Sequence, residues 1–205
     1  MTVDSAFRHL VEGRAATAGV DLDAKVLEGL ECYVGLLAKW NQRINLTALT
    51  IAPLSAAAVD RLLIEPLAAV RFFPSEARLW VDLGSGGGSP AIPLKLALPR
   101  VELRMVEARA RKASFLREVC RCCHLTSTVV RNERIEDVVN DSELARTVDV
   151  VTVRGVAMDS TLEAAVVGLL RKGGKLLAFS GGFEKRPNLL EPAHAGRDRP
   201  RPSEP

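Results

Sequence analysis

Asp82-x-Gly84-x-Gly86-x-Gly88 is the one stretch of this chain whose residue types and spacing together suggest a ligand site. Glycines let a backbone turn sharply and let a ligand approach without an intervening side chain. The stretch follows Leu79 to Leu83, which reads as a strand, and precedes Pro90 to Leu98, which reads as a helix. A helix starting there offers unpaired N–H groups to a carboxylate or phosphate. A dinucleotide fingerprint, Gly-x-Gly-x-x-Gly, needs its third glycine at position 89, and that residue is Ser89. Glu107 ends the second expected strand, about where such folds place an acid on ribose hydroxyls. Arg131-Asn132-Glu133-Arg134-Ile135-Glu136 follows the third strand. In folds of this kind that position lines an adenine pocket, so the backbone near Ile135 and Glu136 is a candidate reader of a base edge. By composition alone it is a charged surface loop.

The elements that must hold these residues come in alternation. Strands are expected at Leu79 to Leu83, Val101 to Val106, Ser127 to Arg131, Val148 to Val153 and Lys175 to Phe179. Helices are expected at Pro90 to Leu98, around Arg111 to Cys123, and at Thr161 to Leu170, the last ended by Gly173-Gly174. Alternating strands and helices predict an α/β fold, a mostly parallel sheet with helices on both faces, over residues 74–182. Residues 1–73 read as an N-terminal helical extension that needs a surface to cover. Its main apolar stripe is Val26, Leu27, Leu30, Tyr33, Val34 and Leu37, on a helix capped near Asp21 or Asp23. Pro53 to Phe73 is also mostly helical, with Pro66 expected to break or kink it. Five prolines (Pro187, Pro192, Pro200, Pro202, Pro205) fall among the last residues, so 183–205 is expected to be a disordered tail.

Composition narrows the function classes. A chain of 205 residues with 47% hydrophobic and 26% charged content has room for one α/β domain and a modest extension. No apolar run reaches the ~20 residues that span a bilayer. Asp4, Arg8, Glu12 and Arg14 punctuate the N-terminus, which reads neither as a secretory signal nor as an anchor, so a cytoplasmic location is expected. A net charge of +3 permits an RNA partner without demanding one. Cys32, Cys120, Cys122 and Cys123 do not form the paired Cys-x-x-Cys elements a zinc site wants, so no metal is expected. His9, His124 and His194 lack a catalytic context, and no catalytic acid or base is assigned. Arg109, Arg111, Lys112, Arg117 and Arg121 either touch RNA phosphates or form a solvated face, and Glu118 among them favours the latter.

The glycine stretch is similar to the first motif of the Rossmann-like methyltransferases, and three further segments sharpen the likeness. These are Leu37-x-x-Trp40-Asn41-x-x-x-Asn45-Leu46-Thr47, Glu107-Ala108-Arg109-x-x-Lys112-x-x-Phe115-Leu116, and Val153-Arg154-Gly155-Val156-Ala157. With Gly84-Ser85-Gly86-x-Gly88-x-Pro90-x-Ile92-Pro93-Leu94 they resemble, in order and over roughly residues 20–180, the bacterial 16S ribosomal RNA guanine-N7 methyltransferases, the glucose-inhibited division protein B family. The resemblance implies a class I methyltransferase fold, S-adenosylmethionine as cofactor, 16S ribosomal RNA or the small ribosomal subunit as partner, and a monomer. It implies Gly84, Ser89, Ile135, Glu136 and Arg154 as cofactor contacts, beside Asp82, Gly86, Gly88 and Glu107. The charge of Glu107 also suits a sulfonium ligand. Asn45 either caps local backbone or faces substrate, and Trp40 packs the N-terminal helices. Arg154, just past a strand end, is expected at the ligand-facing rim rather than in the core.

The sequence departs from the family at four places. Ala91 replaces a loop glycine, Arg61-Leu62-Leu63-Ile64-Glu65-Pro66 replaces Arg-His-x-x-Asp-Ser, Ser180-Gly181 replaces Lys-Gly, and the closing antiparallel hairpin is expected to be absent. Two readings follow: an active methyltransferase, or a homologue that binds cofactor or RNA without efficient turnover.

Overall fold

The computed structural model describes residues 5–179 and the short strand 188–190. Two helices come first, α1 (Ser5–Ala18) and α2 (Ala24–Asn41). Asp23 caps α2, its carboxylate accepting from the Val26 N–H at 2.7 Å. Residues 56–68 form one continuous helical rod: α3 (Ala56–Val59), a π turn (Asp60–Ile64) and α4 (Glu65–Ala68). Then come β1 (Leu79–Leu83), α5 (Ala91–Ala97), β2 (Glu102–Val106), α6 (Ala110–Cys122) and β3 (Thr128–Arg131). They are followed by α7 (Ile135–Val139), β4 (Val148–Arg154), α8 (Ser160–Leu169), β5 (Leu170–Phe179) and β6 (Asn188–Leu190).

The sheet order is β3-β2-β1-β4-β5-β6, parallel except for β6. Side-chain alternation divides the core in two. One face, with Trp80, Leu103, Met105, Val150, Leu177 and Phe179, is covered by α5, α6 and the N-terminal helices. The other, with Val81, Leu83, Val151, Val153 and Leu176, is covered by Val138 of α7 and Val166 and Leu169 of α8. The N-terminal extension thus shares the core of the sheet. Leu30 and Leu37 of α2 are fully buried, each contributing about 1.5–3 kcal/mol. The Cys123 and Cys32 thiols meet between α6 and α2, and among the described residues no group of three metal-ligating side chains occurs.

Three expectations need correction. Pro66 does not break its helix, because the π turn lets the chain pass it. The Glu65 N–H reaches back five residues to Asp60, and the rod continues to Ala68. Gly173-Gly174 lies inside β5, where the register against β4 jumps, rather than ending α8. The hairpin expected to be absent is present in part: β6 runs antiparallel to β5, Leu176 opposite Leu190, inside the stretch expected to be a tail. Ser180 and the residues after 190 lie outside the described residues.

Candidate cofactor site

The glycine stretch leaves β1 in a run of left-handed turns, with φ of +72° at Gly84, +50° at Gly86 and +90° at Gly88. The glycines do different work. A Cβ at Gly88 would stand 2.8 Å from Ile92 Cγ1 and 3.2 Å from Tyr33 Cε2, so this glycine serves internal packing. A Cβ at Gly84 would likewise stand 2.8 Å from Val156 Cγ2, so that position also faces the protein and not an open approach. A Cβ at Gly86 would meet only the Gly84 carbonyl, at 3.6 Å, leaving open space beside the backbone. Gly86 is where a ligand can come close.

Neighbouring elements clamp the loop. Glu107, at the end of β2 and 7% exposed, accepts from the Gly86 N–H at 2.9 Å and from the Arg109 N–H at 2.8 Å. A carboxylate has about four lone-pair sites, so acceptor capacity remains for hydroxyls. Asn132 ties this corner, donating to the Glu107 carbonyl at 2.8 Å. On the other side the Tyr33 hydroxyl donates to the Gly87 carbonyl at 2.6 Å. Burial raises the Tyr33 pKa, keeping the phenol neutral and a donor. The turn after α2 lies on the loop as well, the Leu46 carbonyl 2.9 Å from where a Gly87 Cβ would be. Asn41, not Asn45, holds that turn, accepting from the N–H groups of Leu46 and Thr47 and donating to the Thr47 carbonyl. Asn45 is exposed.

Asp82 and Arg154 belong to two buried networks at this end of the sheet. Trp80 Nε1 donates to Thr152 Oγ1 at 2.8 Å, and Thr152 donates on to Asp82 Oδ1. Asp82 Oδ2 is buried with no partner. Burial pushes the Asp82 carboxyl up to about 6, against the hydrogen bonds that favour its charge. Arg154, at the end of β4, pairs with Glu65 at 2.8 Å, donates to the Arg61 carbonyl and to Ser89 Oγ (3.3 Å), and covers the Phe179 ring at 4.9 Å. The expectation of a rim arginine is corrected: the side chain is 12% exposed and its fork is engaged within the protein.

Pro66 explains this network. Proline has no N–H, so Leu62, four residues back, loses its α-helical donor. The Arg61 carbonyl loses both donors, because the Glu65 N–H has gone to Asp60 and the π-register partner would be Pro66 itself. Ser89 Oγ supplies the bond to Leu62 at 2.8 Å, and Arg154 supplies the bond to Arg61. Two side chains expected to touch the cofactor are therefore enlisted to tie the rod to the loop.

Ile135 opens α7 beside the loop, its Cδ1 3.8 Å from a Cβ built on Gly84. Glu136 follows, exposed on the first turn. Arg131 pairs with Glu133 and Asp141, each at 2.8 Å, and so holds the loop before α7. Glu65, Thr152, Tyr33 and Asn132 were not singled out from sequence as site residues. Thr152 had a signal, a hydroxyl inside the apolar run Val150 to Val153, and Glu65 stands where the family carries an acid.

The acceptor set suits a nucleoside with a cationic end. There is open space at Gly86, a carboxylate with spare acceptors at Glu107, and a carboxylate oxygen without a hydrogen bond at Asp82 Oδ2.

The family model for rRNA small subunit methyltransferase G (GidB) matches residues 26–193. The chain belongs to this family. Its likeness to the ribosomal RNA small subunit methyltransferase G of Chloroflexus aggregans is 38% identity over 174 residues, covering 85% of this chain and 71% of that protein. With the enzyme of that name from Halorhodospira halophila it shares 36%, covering 85% and 78%. Among solved structures, a Methanococcus maripaludis protein assigned as an S-adenosyl-L-methionine-dependent methyltransferase superposes with TM-score 0.52 at 16% identity, covering 73% of this chain and 63% of that one. Coclaurine N-methyltransferase, bound to N-methylheliamine and SAH, superposes with TM-score 0.50 at 12% identity, covering 87% and 53%. At these identities the likeness is one of fold. The expected fold class and family both hold.

Proposed function

We propose that this rRNA small subunit methyltransferase G family member transfers a methyl group from S-adenosylmethionine to N7 of a guanine in 16S ribosomal RNA. The observation that carries the reading is the open backbone at Gly86, whose N–H is held by the Glu107 carboxylate. When bound, S-adenosylmethionine supplies an electrophilic methyl carbon on a sulfonium. Glu107 would hold the ribose hydroxyls, Ile135 and the Glu136 backbone would hold the adenine, and Asp82 would supply a carboxylate for the cationic end. Gly84 and Gly88 shape the loop. Ser89 and Arg154 act through the rod at 56–68, holding it against the loop to wall the site from water.

Guanine N7 carries a lone pair and no proton, so the chain needs no general base. Its task is alignment and exclusion of solvent. This fits a site that brings in no histidine among the described residues. A cytoplasmic monomer is part of this proposal; among the described residues no helix is long and apolar enough to cross a membrane.

The test is methyl transfer to purified, undermethylated small-subunit particles, with the product mapped by strand cleavage at N7-methylguanine. Cleavage at one guanine is expected. The second reading, a homologue that binds without efficient turnover, is favoured by Leu62 standing where the family has histidine. It predicts S-adenosylhomocysteine binding with no cleavage.

A further inference from the structure

A cavity of about 300 Å³ opens where the end of α2 meets the start of α6, lined by Lys39, Trp40, Arg43, Ile44 and Arg111. Its floor is apolar and fixed. Trp40 is half-buried, packs edge-on against Phe115 at 5.8 Å, and donates from Nε1 to Glu118 at 3.1 Å. Ile44 is half-buried beside it, while Lys39, Arg43 and Arg111 are exposed around it. Among the described residues these three cations enter no ion pair, whereas Arg14, Arg61, Arg104, Arg131, Arg154 and Arg171 each have a carboxylate partner. Of the basic run along α6, Arg111 alone lines the cavity. The chain links the cavity to the glycine loop, because the turn that follows Ile44 brings the Leu46 carbonyl against Gly87.

We propose that this cavity is a subsite for one unpaired nucleotide of single-stranded RNA, its base on Trp40 and Ile44 and its flanking phosphates on Lys39, Arg43 and Arg111. The proposal rests on the ribosomal RNA methyltransferase reading and adds the face across which the strand enters. An aromatic floor inside a ring of cations is the arrangement that holds single strands, since every base has a π-face and every linkage a charge. A volume near 300 Å³ is at the small end of ligand pockets, suiting one nucleotide. A helical stem would not use it, because its bases are stacked and its deep groove closed to side chains.

Fluorescence gives a readout that a merely solvated charged face would not move. The chain has two tryptophans, and Trp80 is fully buried, so Trp40 is the one an entering base can quench. A single-stranded oligoribonucleotide titrated into the full chain is expected to quench emission, and inorganic polyphosphate is expected to bind without quenching. Arg43→Glu/Arg111→Glu is expected to weaken oligonucleotide binding at least about tenfold. It should also lower the slope of log K against log salt by about 1.4, for two lost phosphate contacts. KM for small-subunit particles should rise while the affinity for S-adenosylhomocysteine stays as in wild type. The milder Lys39→Gln/Arg43→Gln pair should shift the same quantities in the same direction. Unquenched binding, or charge variants that bind and methylate like wild type, would overturn the subsite alone. A wild-type chain that neither binds RNA nor methylates it would overturn the functional reading with it.

Discussion

Asp82 and Asp149 are both buried, 1% and 5% exposed, on adjacent parallel strands, yet the protein treats them oppositely. Asp149, near the start of β4, accepts from the N–H groups of Arg78 (2.7 Å) and Leu79 (2.8 Å) and pairs with Arg171. Burial pushes its carboxyl upward, but those backbone bonds and the guanidinium outweigh it and hold it below the usual range. Asp82, at the other end of β1, has one oxygen bonded to Thr152 and one with no hydrogen bond, and burial prevails over Ser85, Thr152 and Arg154, which favour its charge. The four buried side-chain atoms without a hydrogen bond among the described residues belong to Arg61, Glu65, Asp82 and Arg154, all at this second end, although Arg61 still lies 3.6 Å from the Glu65 carboxylate. Polar groups left unmet in a low-dielectric interior cost free energy, and proteins keep them where a ligand completes them. One end of the sheet is finished by the chain itself. On the proposed function, the cofactor completes the other.

The comparison breaks most visibly at Arg154. Removing it strands the Glu65 carboxylate in the interior, and losing one partner of a buried pair costs about 3–5 kcal/mol. Arg154→Ala should therefore lower the denaturation midpoint sharply, not leave the fold intact as a rim arginine would. Arg154→Met with Glu65→Leu should recover much of the loss. An Arg154→Ala protein of wild-type stability would show that the pair does not hold the rod.

The glycines sharpen the contrast within the site. Gly88→Ala drives a methyl into Ile92 and Tyr33 and should destabilise by about 2 kcal/mol or more, from strain and overpacking together. Gly86→Ala meets open space and should cost only the left-handed backbone, about 1 kcal/mol. It should nevertheless abolish the rise in melting temperature that S-adenosylhomocysteine gives the wild type. A retained ligand response in Gly86→Ala would move the cofactor elsewhere.

The α/β alternation, the glycine loop and Glu107 were legible because each rests on local pattern: strand, turn, helix, and an acid at a strand end. Pro66 and Arg154 were not. Proline is a helix breaker in isolation, and only a π turn beside a distant serine and arginine turns its missing N–H into an anchoring point. In the sequence Tyr33 is one more member of the α2 stripe, although its hydroxyl is the group that reaches the loop. Residues 188–190 read as tail for a related reason, since β6 is recognised by its pairing with β5 and not by its own composition.

Smaller effects test the clamp and the charge. Tyr33→Phe keeps the packing and leaves the Gly87 carbonyl without its donor, which should cost about 1 kcal/mol and loosen cofactor binding a few-fold. With pH the two aspartates should diverge. Asp149 is depressed in the folded state, so its stabilisation is present above about pH 4 and is lost as pH falls through the lower folded pKa. Asp82 is raised to about 6, so the unliganded fold loses stability as pH rises from about 4 to 6. Cofactor affinity should increase over the upper part of that window, as Asp82 ionises to meet a cation. Affinity that stays flat from pH 5 to 7.5 would contradict this.

The most direct measurement sets Asp82→Asn beside Asp149→Asn at pH 7.5, with S-adenosylhomocysteine affinity by calorimetry and unliganded stability by denaturation. Asp82→Asn should cut affinity at least about tenfold while leaving the empty protein as stable as wild type or more so, since it removes a buried, half-partnered charge. Asp149→Asn should lose about 2 kcal/mol of stability with the ligand Kd within about twofold of wild type. Affinity unchanged in Asp82→Asn, or the same losses from both substitutions, would contradict the claim that the unsatisfied end of the sheet is the cofactor site.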